Sequence, residues 1–171
     1  MADLSRTHRP LGLTAAALIF AVDQIVKWVV THPLALRDRG AIELLPFFDL
    51  NWVENYGVSM GFLTADSAMG RWLLVAMTAA IAIGVAIWMW RERSRMDAAA
   101  LGFVLGGALG NILDRVRFGH VVDFADLHFG DWHPFLVFNV ADAAITIGVL
   151  LLVLRALFMR EGRAPSEDVH A

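Results

Sequence analysis

Long apolar runs separated by short polar segments dominate the hydropathy pattern of the chain. Four runs contain few charged side chains, over about residues 11–30, 72–90, 98–113 and 136–157. Because a helix of roughly 17–25 apolar residues spans a bilayer, each run predicts a transmembrane helix. The pattern therefore predicts an all-α membrane protein, a four-helix bundle forming one integral membrane domain over residues 1–171, with a disordered polar tail over 161–171.

The segment between the first two runs has a different period. Residues 47–62, FFDLNWVENYGVSMGF, alternate apolar and polar positions around Leu50 and Trp52. Period-two alternation with aromatic residues predicts short β-strands, and Trp and Phe favour the depth of the membrane interface. We expect a small extracytoplasmic β-rich loop between helices 1 and 2, a cradle that rests on the lipid surface.

The third run carries glycines at four-residue intervals, Gly102, Gly106 and Gly110. That spacing leaves a stripe without side chains on one helix face, so that a neighbouring helix can approach closely. We interpret the stripe as a packing surface that does not require self-association, and we expect a monomer.

Basic residues are concentrated at one end of the predicted bundle. Arginines precede the first run, separate the second from the third and follow the fourth, at positions 6, 9, 91, 93, 95, 160 and 163. Residues 32–71 instead hold three Arg against five acids, and residues 114–133 hold two Arg against four Asp, a net charge of −2 in each segment. Since cytoplasmic segments favour Lys and Arg, we expect both termini in the cytoplasm.

Composition narrows the classes of function. The chain is 58% hydrophobic and 18% charged, which is too apolar for an ordinary soluble domain. It contains no Cys, which excludes disulfides, thiol nucleophiles and Cys-ligated metals. A net charge of −3 supplies no basic patch, so we expect no nucleic-acid partner.

Polar residues gather at one predicted membrane boundary, opposite the basic clusters. Four separate segments contribute to this group: Asp23, Asn55, Asn111, Asp114, Arg115, Asp123, Asn139 and Asp142. Ionisable residues in membrane segments are rare, and they are usually functional or paired. Asp23 and Lys27 lie four positions apart and so share one helix face. They form either a structural ion pair that anchors the first span or a direct support for an active site.

Two carboxylates in this group, Asp142 and Asp123, differ in whether a structural role accounts for their position. Asn139 is a candidate N-cap of the fourth helix, which makes Asp142 its third residue, near free backbone N–H groups. Asp123 has no such explanation, since apolar residues flank it. Two carboxylates in a partly dry site share one proton, so that one polarises a carbonyl while the other takes a proton from water. This chemistry is aspartyl peptide hydrolysis, and it needs no metal.

Other classes remain open from the residues alone. A proton-coupled transporter would use a relay of Asp23, Lys27, Asp114 and Asp142, although spans two to four have no ionisable residue near their middle. A metal hydrolase would draw its ligands from His120, Asp123, His128 and His133, but no HExxH motif occurs. A serine protease would need a Ser/His/Asp constellation around Ser59, and none is evident. A purely structural membrane protein leaves the one-sided polar group unexplained.

Five motifs occur together in one order along the chain: DQIVKW (23–28), NYGVSMGF (55–62), GGALGNILDR (106–115), GHVVDF (119–124) and FNVADAAITIG (138–148). Over about residues 10–160 the chain resembles lipoprotein signal peptidase, also called signal peptidase II or prolipoprotein signal peptidase. The resemblance implies a four-span aspartic endopeptidase of the bacterial cytoplasmic (inner) membrane, with its active site at the outer face. Such an enzyme removes signal peptides from prolipoproteins by cleaving just before a diacylglyceryl-modified cysteine.

Carried over by motif, the resemblance makes Asp123 and Asp142 the catalytic pair. It assigns support of the site or contact with substrate to Asp23, Lys27, Asn55, Gly57, Asn111, Asp114, Arg115, Asn139 and Ala141. It implies no metal and no other cofactor. The implied partners are diacylglyceryl-modified prolipoproteins, membrane lipid and globomycin-type inhibitors. Met60 stands where Phe or Ala is common in the family; because Met is apolar and pliable, we expect tuned lipid packing and retained activity.

Overall fold

The computed structural model describes residues 8–57 and 68–161, and the side chains of residues 159–161 are outside that description. Several expectations fall on the remainder. They are the tail beyond Glu161, the part of the predicted β-rich loop over 58–62 with Ser59 and Met60, and the arginines at positions 6 and 163.

Four long helices confirm the predicted membrane bundle. They are α1 (Arg9–Thr31), α3 (Ala68–Arg91), α4 (Arg95–Phe118) and α5 (Val140–Glu161), and a single turn, α2 (Leu36–Arg39), follows α1. Each long helix is apolar enough over a sufficient length to cross a membrane. All eight helix bounds differ from the predicted spans by one to five residues, and two of the differences have a clear structural reason. The polar end of α4 stays helical to Phe118, whereas α5 begins only at Val140 because the preceding residues pair with a strand.

Local signals account for the ends of the helices. Pro10 lies in the first turn of α1, where its missing N–H has no intrahelical partner to lose. Ser94 caps α4 by accepting a hydrogen bond from the backbone N–H of Asp97 at 3.3 Å. Gly119 ends the same helix with a φ of 88°, a conformation that favours glycine, and donates its N–H to the carbonyl oxygen of Arg115.

The helix α4 lies at the centre of the bundle and packs against α1, α3 and α5. Half (50%) of its most apolar stretch is buried, against 22%, 22% and 17% for α1, α3 and α5. The other helices leave large apolar side chains exposed, among them Leu18, Ile81 and Leu150. A continuous apolar surface of this kind suits contact with lipid rather than with water.

The glycine stripe of α4 and the additional Gly107 pack against helices of the same chain. A Cβ atom on Gly106 would lie 2.5 Å from the carbonyl oxygen of Ala16 in α1, and one on Gly107 would lie 2.5 Å from the carbonyl oxygen of Ala141 in α5. Both neighbouring backbones therefore approach α4 more closely than any side chain allows.

Three antiparallel strands form a small sheet at one end of the bundle, called here the sheet end. They are β1 (Ala41–Leu45), β2 (Phe48–Asn55) and β3 (Val121–Leu127), in the order β1-β2-β3. The loop between the first two long helices supplies β1 and β2, which confirms the predicted β-rich loop, although β1 lies before the 47–62 segment whose alternation predicted strands. The third strand comes from the connection between α4 and α5 and was not predicted. Since β3 is buried at all but its last residue, its sequence lacks the period-two alternation that marks a half-exposed strand.

An apolar cluster joins the sheet to the bundle. Its buried members come from the end of α1, from α2 and from strands β2 and β3: Val30, Leu36, Leu50, Val122, Phe124 and Ala125. Burial of these side chains holds β3 in place beside the outermost turns of α1.

The close contact between α1 and α4 can be tested with two glycine substitutions. In Gly106→Ala the new methyl group would lie 2.5 Å from the Ala16 carbonyl oxygen and 2.9 Å from the Ile19 Cβ, so the helices must separate. We expect a loss of about 1–3 kcal/mol in the free energy of unfolding. No atom of the described residues lies within 4 Å of a Cβ added to Gly84 in α3, so Gly84→Ala should be neutral or slightly stabilising. Thermal unfolding in one detergent measures both, and equal effects would contradict the tight packing.

Candidate active site

A buried ammonium group lies at the sheet end of the bundle. The Lys27 side chain is 5% exposed, and its Nζ lies 2.9 Å from Asp23 Oδ2 and 2.7 Å from Asp114 Oδ2. It also donates to Asn111 Oδ1 at 3.2 Å. Buried charges persist only where they are paired and hydrogen-bonded, and this arrangement meets both conditions. The ion pair predicted within α1 thus extends to α4.

The two carboxylates of this cluster also hold backbone groups of other elements. Asp23 Oδ1 accepts the backbone N–H of Ala141 at 3.0 Å, at the start of α5. Asp114 Oδ2 accepts the backbone N–H of Val122 at 3.2 Å, in β3. Gln24 donates to both carboxylates at 3.1 Å. Gln24 is not among the predicted site residues; its signal in the sequence is a polar residue inside an apolar run. The predicted ion pair therefore belongs to a cluster that also holds the residues next to Asp142 and Asp123.

Backbone pairing places the start of α5 beside β3. Ala125 and Phe138 exchange backbone hydrogen bonds at 2.7 and 3.0 Å. Asn139, the next residue, consequently reaches Asp123 and donates from Nδ2 to Oδ1 at 2.6 Å. The other Asp123 oxygen accepts from Asn55 Nδ2 at 2.9 Å, and the whole Asp123 residue is 1% exposed.

Asp142 forms the predicted cap and also belongs to the polar network. Asn139 Oδ1 accepts the backbone N–H of Asp142 at 2.9 Å, while Asp142 Oδ2 accepts the backbone N–H of Asn139 at 3.3 Å. These two bonds form a reciprocal N-cap. The other Asp142 oxygen, Oδ1, accepts a hydrogen bond from Asn111 Nδ2 at 2.8 Å. Asn139 therefore connects the Asp123 carboxylate with the residue that carries the second carboxylate.

The surroundings of Asp123 make its proton easy to retain. Burial, and to a smaller extent the nearby Asp142 carboxylate, raise the pKa of Asp123 to about 6, although hydrogen bonds from Asn55 and Asn139 oppose the rise. A carboxyl group with such a pKa exchanges its proton close to neutral pH, which is a property of acid–base catalysts.

Two further predicted residues lie at the edges of this network. The Gly57 N–H donates to Asn55 Oδ1 at 2.9 Å, and the Gly57 φ of 102° is one that glycine adopts readily. This turn directs the Asn55 amide towards Asp123. Arg115, on the last turns of α4, has a buried Nε with no hydrogen-bond partner among the described residues. The structure thus joins eight of the nine predicted supporting residues directly and leaves the Arg115 guanidinium Nε unpartnered.

The histidines proposed as metal ligands do not converge on Asp123. Each lies next to a different carboxylate, in the pairs His120–Glu54 at 4.0 Å, His128–Asp49 at 3.1 Å and His133–Asp126 at 2.9 Å. Within residues 8–57 and 68–161, no group of three or more His, Cys, Asp or Glu side chains is placed to hold a metal ion.

An apolar groove opens beside Asp142. It has a volume of about 310 Å³ and is lined by Phe135, Leu136, Phe138, Asp142, Ala143, Thr146 and Ile147. One ionisable side chain thus faces an otherwise mostly apolar groove, an arrangement typical of a ligand site.

Comparison with known proteins identifies the family of this site. The family profile for Signal peptidase (SPase) II matches residues 15–158. The chain belongs to the signal peptidase II family. The lipoprotein signal peptidase of Rhizorhabdus wittichii is 64% identical over 171 residues, covering 100% of this chain and 99% of that protein. The lipoprotein signal peptidase of Sphingopyxis alaskensis is 58% identical over 161 residues, covering 94% and 93%.

The fold is also similar to that of solved membrane enzymes. A bacterial membrane enzyme solved by the in meso method at 2.3 Å resolution is 26% identical, with a TM-score of 0.76 and coverage of 91% of this chain and 93% of that one. As a signal peptidase II with four apolar helices, the protein is a multi-pass membrane peptidase that processes the signal peptides of prolipoproteins. The transporter and the purely structural alternatives are therefore wrong.

The buried ammonium of this signal peptidase II can be tested by removing its charge. Lys27→Met keeps an apolar stem but leaves Asp23 and Asp114 without a counter-charge, so we expect a loss of about 3–5 kcal/mol in the free energy of unfolding. The matched control is Arg37→Met, because the Arg37 side chain is 67% exposed in its 3.1 Å ion pair with Glu54. That change should cost at most about 1 kcal/mol. Similar losses in thermal unfolding would show that the Lys27 cluster does not anchor the fold.

The raised pKa of Asp123 predicts a pH-dependent stability. Because the pKa in the folded state lies above the usual 3.8, the folded chain binds this proton more readily, and stability falls as the pH rises from about 4 through 6. Asp123→Asn removes this titration. Its stability relative to the wild type should therefore increase between pH 4 and pH 7, by on the order of 2 kcal/mol.

Unfolding temperatures of both proteins at the two pH values measure this difference, and packing changes that do not depend on pH cancel from it. The solvent-exposed Asp38, replaced by Asn, is the control and should show no such increase. A pH-independent offset for Asp123→Asn would contradict the raised pKa.

Proposed function

We propose that this signal peptidase II is an aspartic endopeptidase in which Asp123 and Asp142 together activate a water molecule. One observation carries the proposal. The Asn139 side chain donates to Asp123 at 2.6 Å and accepts the backbone N–H of Asp142 at 2.9 Å, while Asn111 holds the Asp142 carboxylate at 2.8 Å. Carboxylates from a strand and from a helix terminus thus belong to one hydrogen-bonded group.

The proposed chemistry needs one proton shared by two carboxylates. The ionised carboxylate takes a proton from water as the water oxygen attacks the scissile carbonyl carbon, and its protonated partner donates to the carbonyl oxygen. When the tetrahedral intermediate collapses, the carboxyl group that took the water proton passes it to the amide nitrogen, its partner takes back a proton from the gem-diol, and the C–N bond breaks. The products are a new carboxylate on the signal peptide and a free amino group on the cysteine. A pKa of about 6 for Asp123 suits this exchange, although the titration belongs to the pair.

The supporting residues would keep the two carboxylates in place. The Lys27 ammonium fixes Asp23 and Asp114, which in turn hold the backbone N–H groups of Ala141 and Val122. The first of these backbone groups lies next to Asp142 and the second lies next to Asp123. A rigid second layer of this kind is what catalysis by precise placement requires.

Two residues at the edge of the site are proposed to meet the substrate. The buried, unpartnered Arg115 Nε is suited to bind the substrate carbonyl or the lipid head region, since a guanidinium offers several donors in a fixed plane. The Asn55 amide already donates to Asp123 and would orient the substrate beside it.

The apolar groove beside Asp142 is the proposed place for the apolar part of the substrate. A volume of about 310 Å³ suits part of a signal helix or an acyl chain that enters from the surrounding lipid. We propose that the enzyme acts as a monomer, cleaves just before the diacylglyceryl-modified cysteine, and binds globomycin-type inhibitors at the same site.

We propose a location in the bacterial cytoplasmic (inner) membrane, with both termini cytoplasmic and the site at the outer face. The basic clusters support this orientation. Arg9 Nε donates to the Trp90 carbonyl oxygen at 2.9 Å, and Arg155 pairs with Asp97 at 2.7 Å. The start of α1, the connection from α3 to α4 and the last turns of α5 therefore share the end of the bundle opposite the sheet.

The proposed mechanism is tested with a diacylglyceryl-modified prolipoprotein and purified enzyme in detergent. Asp123→Asn and Asp142→Asn should each reduce cleavage by about 10³-fold or more, because neither single carboxylate can exchange the shared proton. Retained α-helical circular dichroism and a cooperative thermal transition serve as folding controls. Excess chelator should leave the wild-type rate unchanged. Normal turnover by either variant, or loss of cleavage with chelator, would refute the aspartic mechanism.

A further inference from the structure

Glu54 lies next to the site but is not one of the predicted site residues. Its carboxylate accepts the Tyr56 hydroxyl at 2.7 Å and the Trp52 indole N–H at 3.4 Å. Arg37 Nη2 lies 3.1 Å away, and His120 Nδ1 lies 4.0 Å away. The Glu54 side chain is 21% exposed, so it is partly shielded from solvent.

The contact with Tyr56 lies on the turn that aims Asn55. Asn55 Oδ1 accepts the Gly57 N–H at 2.9 Å, so Tyr56 is the middle residue of an Asx-turn. With its oxygen held by this bond, the Asn55 amide nitrogen faces Asp123 at 2.9 Å. Fixing the Tyr56 hydroxyl fixes the middle of the turn, and thereby the direction of the amide.

The contacts with His120 and Tyr56 connect the two strands that bear the site. His120 immediately precedes β3, and its ring lies 5.3 Å from the Tyr56 ring, centroid to centroid. Glu54 thus touches residues beside both β2 and β3, and these are the strands that carry Asn55 and Asp123. The ion pair with Arg37 contributes less, because the Arg37 side chain is 67% exposed.

We propose that Glu54 is a positioning residue for the peptidase reaction, which holds the Asn55 amide on Asp123 through the Tyr56 hydroxyl. This inference rests on the proposed catalytic role of Asp123. A hydrogen bond to the ionised form of a carboxyl group favours that form. Loss of the Glu54 contact therefore moves the Asn55 amide away and makes the Asp123 proton harder to remove.

The sign of the effect separates positioning from simple electrostatics. Removal of a negative charge near Asp123 by itself favours ionised Asp123, which moves its titration to lower pH. Loss of the oriented Asn55 amide moves that titration to higher pH. The other charged groups that face Asp123, namely Asp142, Lys27 and Arg115, are unchanged in the Glu54 variants.

The experiment measures the pH profile of kcat/KM with a diacylglyceryl-modified prolipoprotein. Asn55→Ala identifies the limb of the profile that depends on this amide. Glu54→Ala and Tyr56→Phe should move the same limb to higher pH by about 0.3–1 unit, the equivalent of one modest hydrogen bond. Combined with Asn55→Ala, neither should add a further shift to higher pH, because all three raise the titration through one contact.

Two control variants refine the test. Glu54→Gln keeps an oxygen that accepts the Tyr56 hydroxyl but loses the charge, so its limb should lie at or below the wild-type pH and should not move to higher pH. Glu43→Ala removes an exposed carboxylate from the neighbouring strand β1 and should leave the limb unchanged.

The failures are distinguishable. If Asp123→Asn cleaves normally, the proposed function fails and the inference falls with it. If Asp123→Asn is inactive but Glu54→Ala and Tyr56→Phe show no shift, a shift to lower pH, or a shift that adds to that of Asn55→Ala, the positioning role alone is wrong.

Discussion

The site depends on one buried ammonium group. Lys27 Nζ neutralises Asp23 and Asp114 in a buried position, and each carboxylate uses another lone pair to hold a backbone N–H group of a different element. Helices α1 and α4, the start of α5 and strand β3 are tied together by this means. Since an unpaired buried charge is costly, the elements cannot separate one at a time without a large loss of free energy.

The protein has two regions that are held together by different kinds of contact. Along the helices, contact relies on glycines that let backbones touch, because lipid gives little hydrophobic force for association. At the sheet end, an apolar cluster and side-chain amides take over. Asn55, Asn111 and Asn139 are neutral donors, and they orient carboxylates without neutralising them. A raised pKa for Asp123 is compatible with this choice of partners.

Local patterns were sufficient for some elements and insufficient for others. The four helices follow from apolar runs of membrane length, and β2 follows from its alternation. Strand β3 was not predicted, because a strand buried on both faces does not alternate apolar and polar residues. The start of α5 was placed too early because Phe138 is apolar enough for a helix, yet its backbone pairs with Ala125. Gln24 and Glu54 were missed because a single polar residue carries no information about its partner.

The sequence by itself determined the bundle, the side on which polar residues gather and, through its motifs, the candidate carboxylates, because periodicity and residue chemistry are local properties. Only the tertiary structure decided which groups meet. Asn139 reaches Asp123 because a backbone bridge aligns residues far apart in the chain, and Lys27 serves two carboxylates because glycines bring α4 close to α1. Hydrogen bonds act over about 3 Å, so their partners are set by packing and not by spacing along the chain.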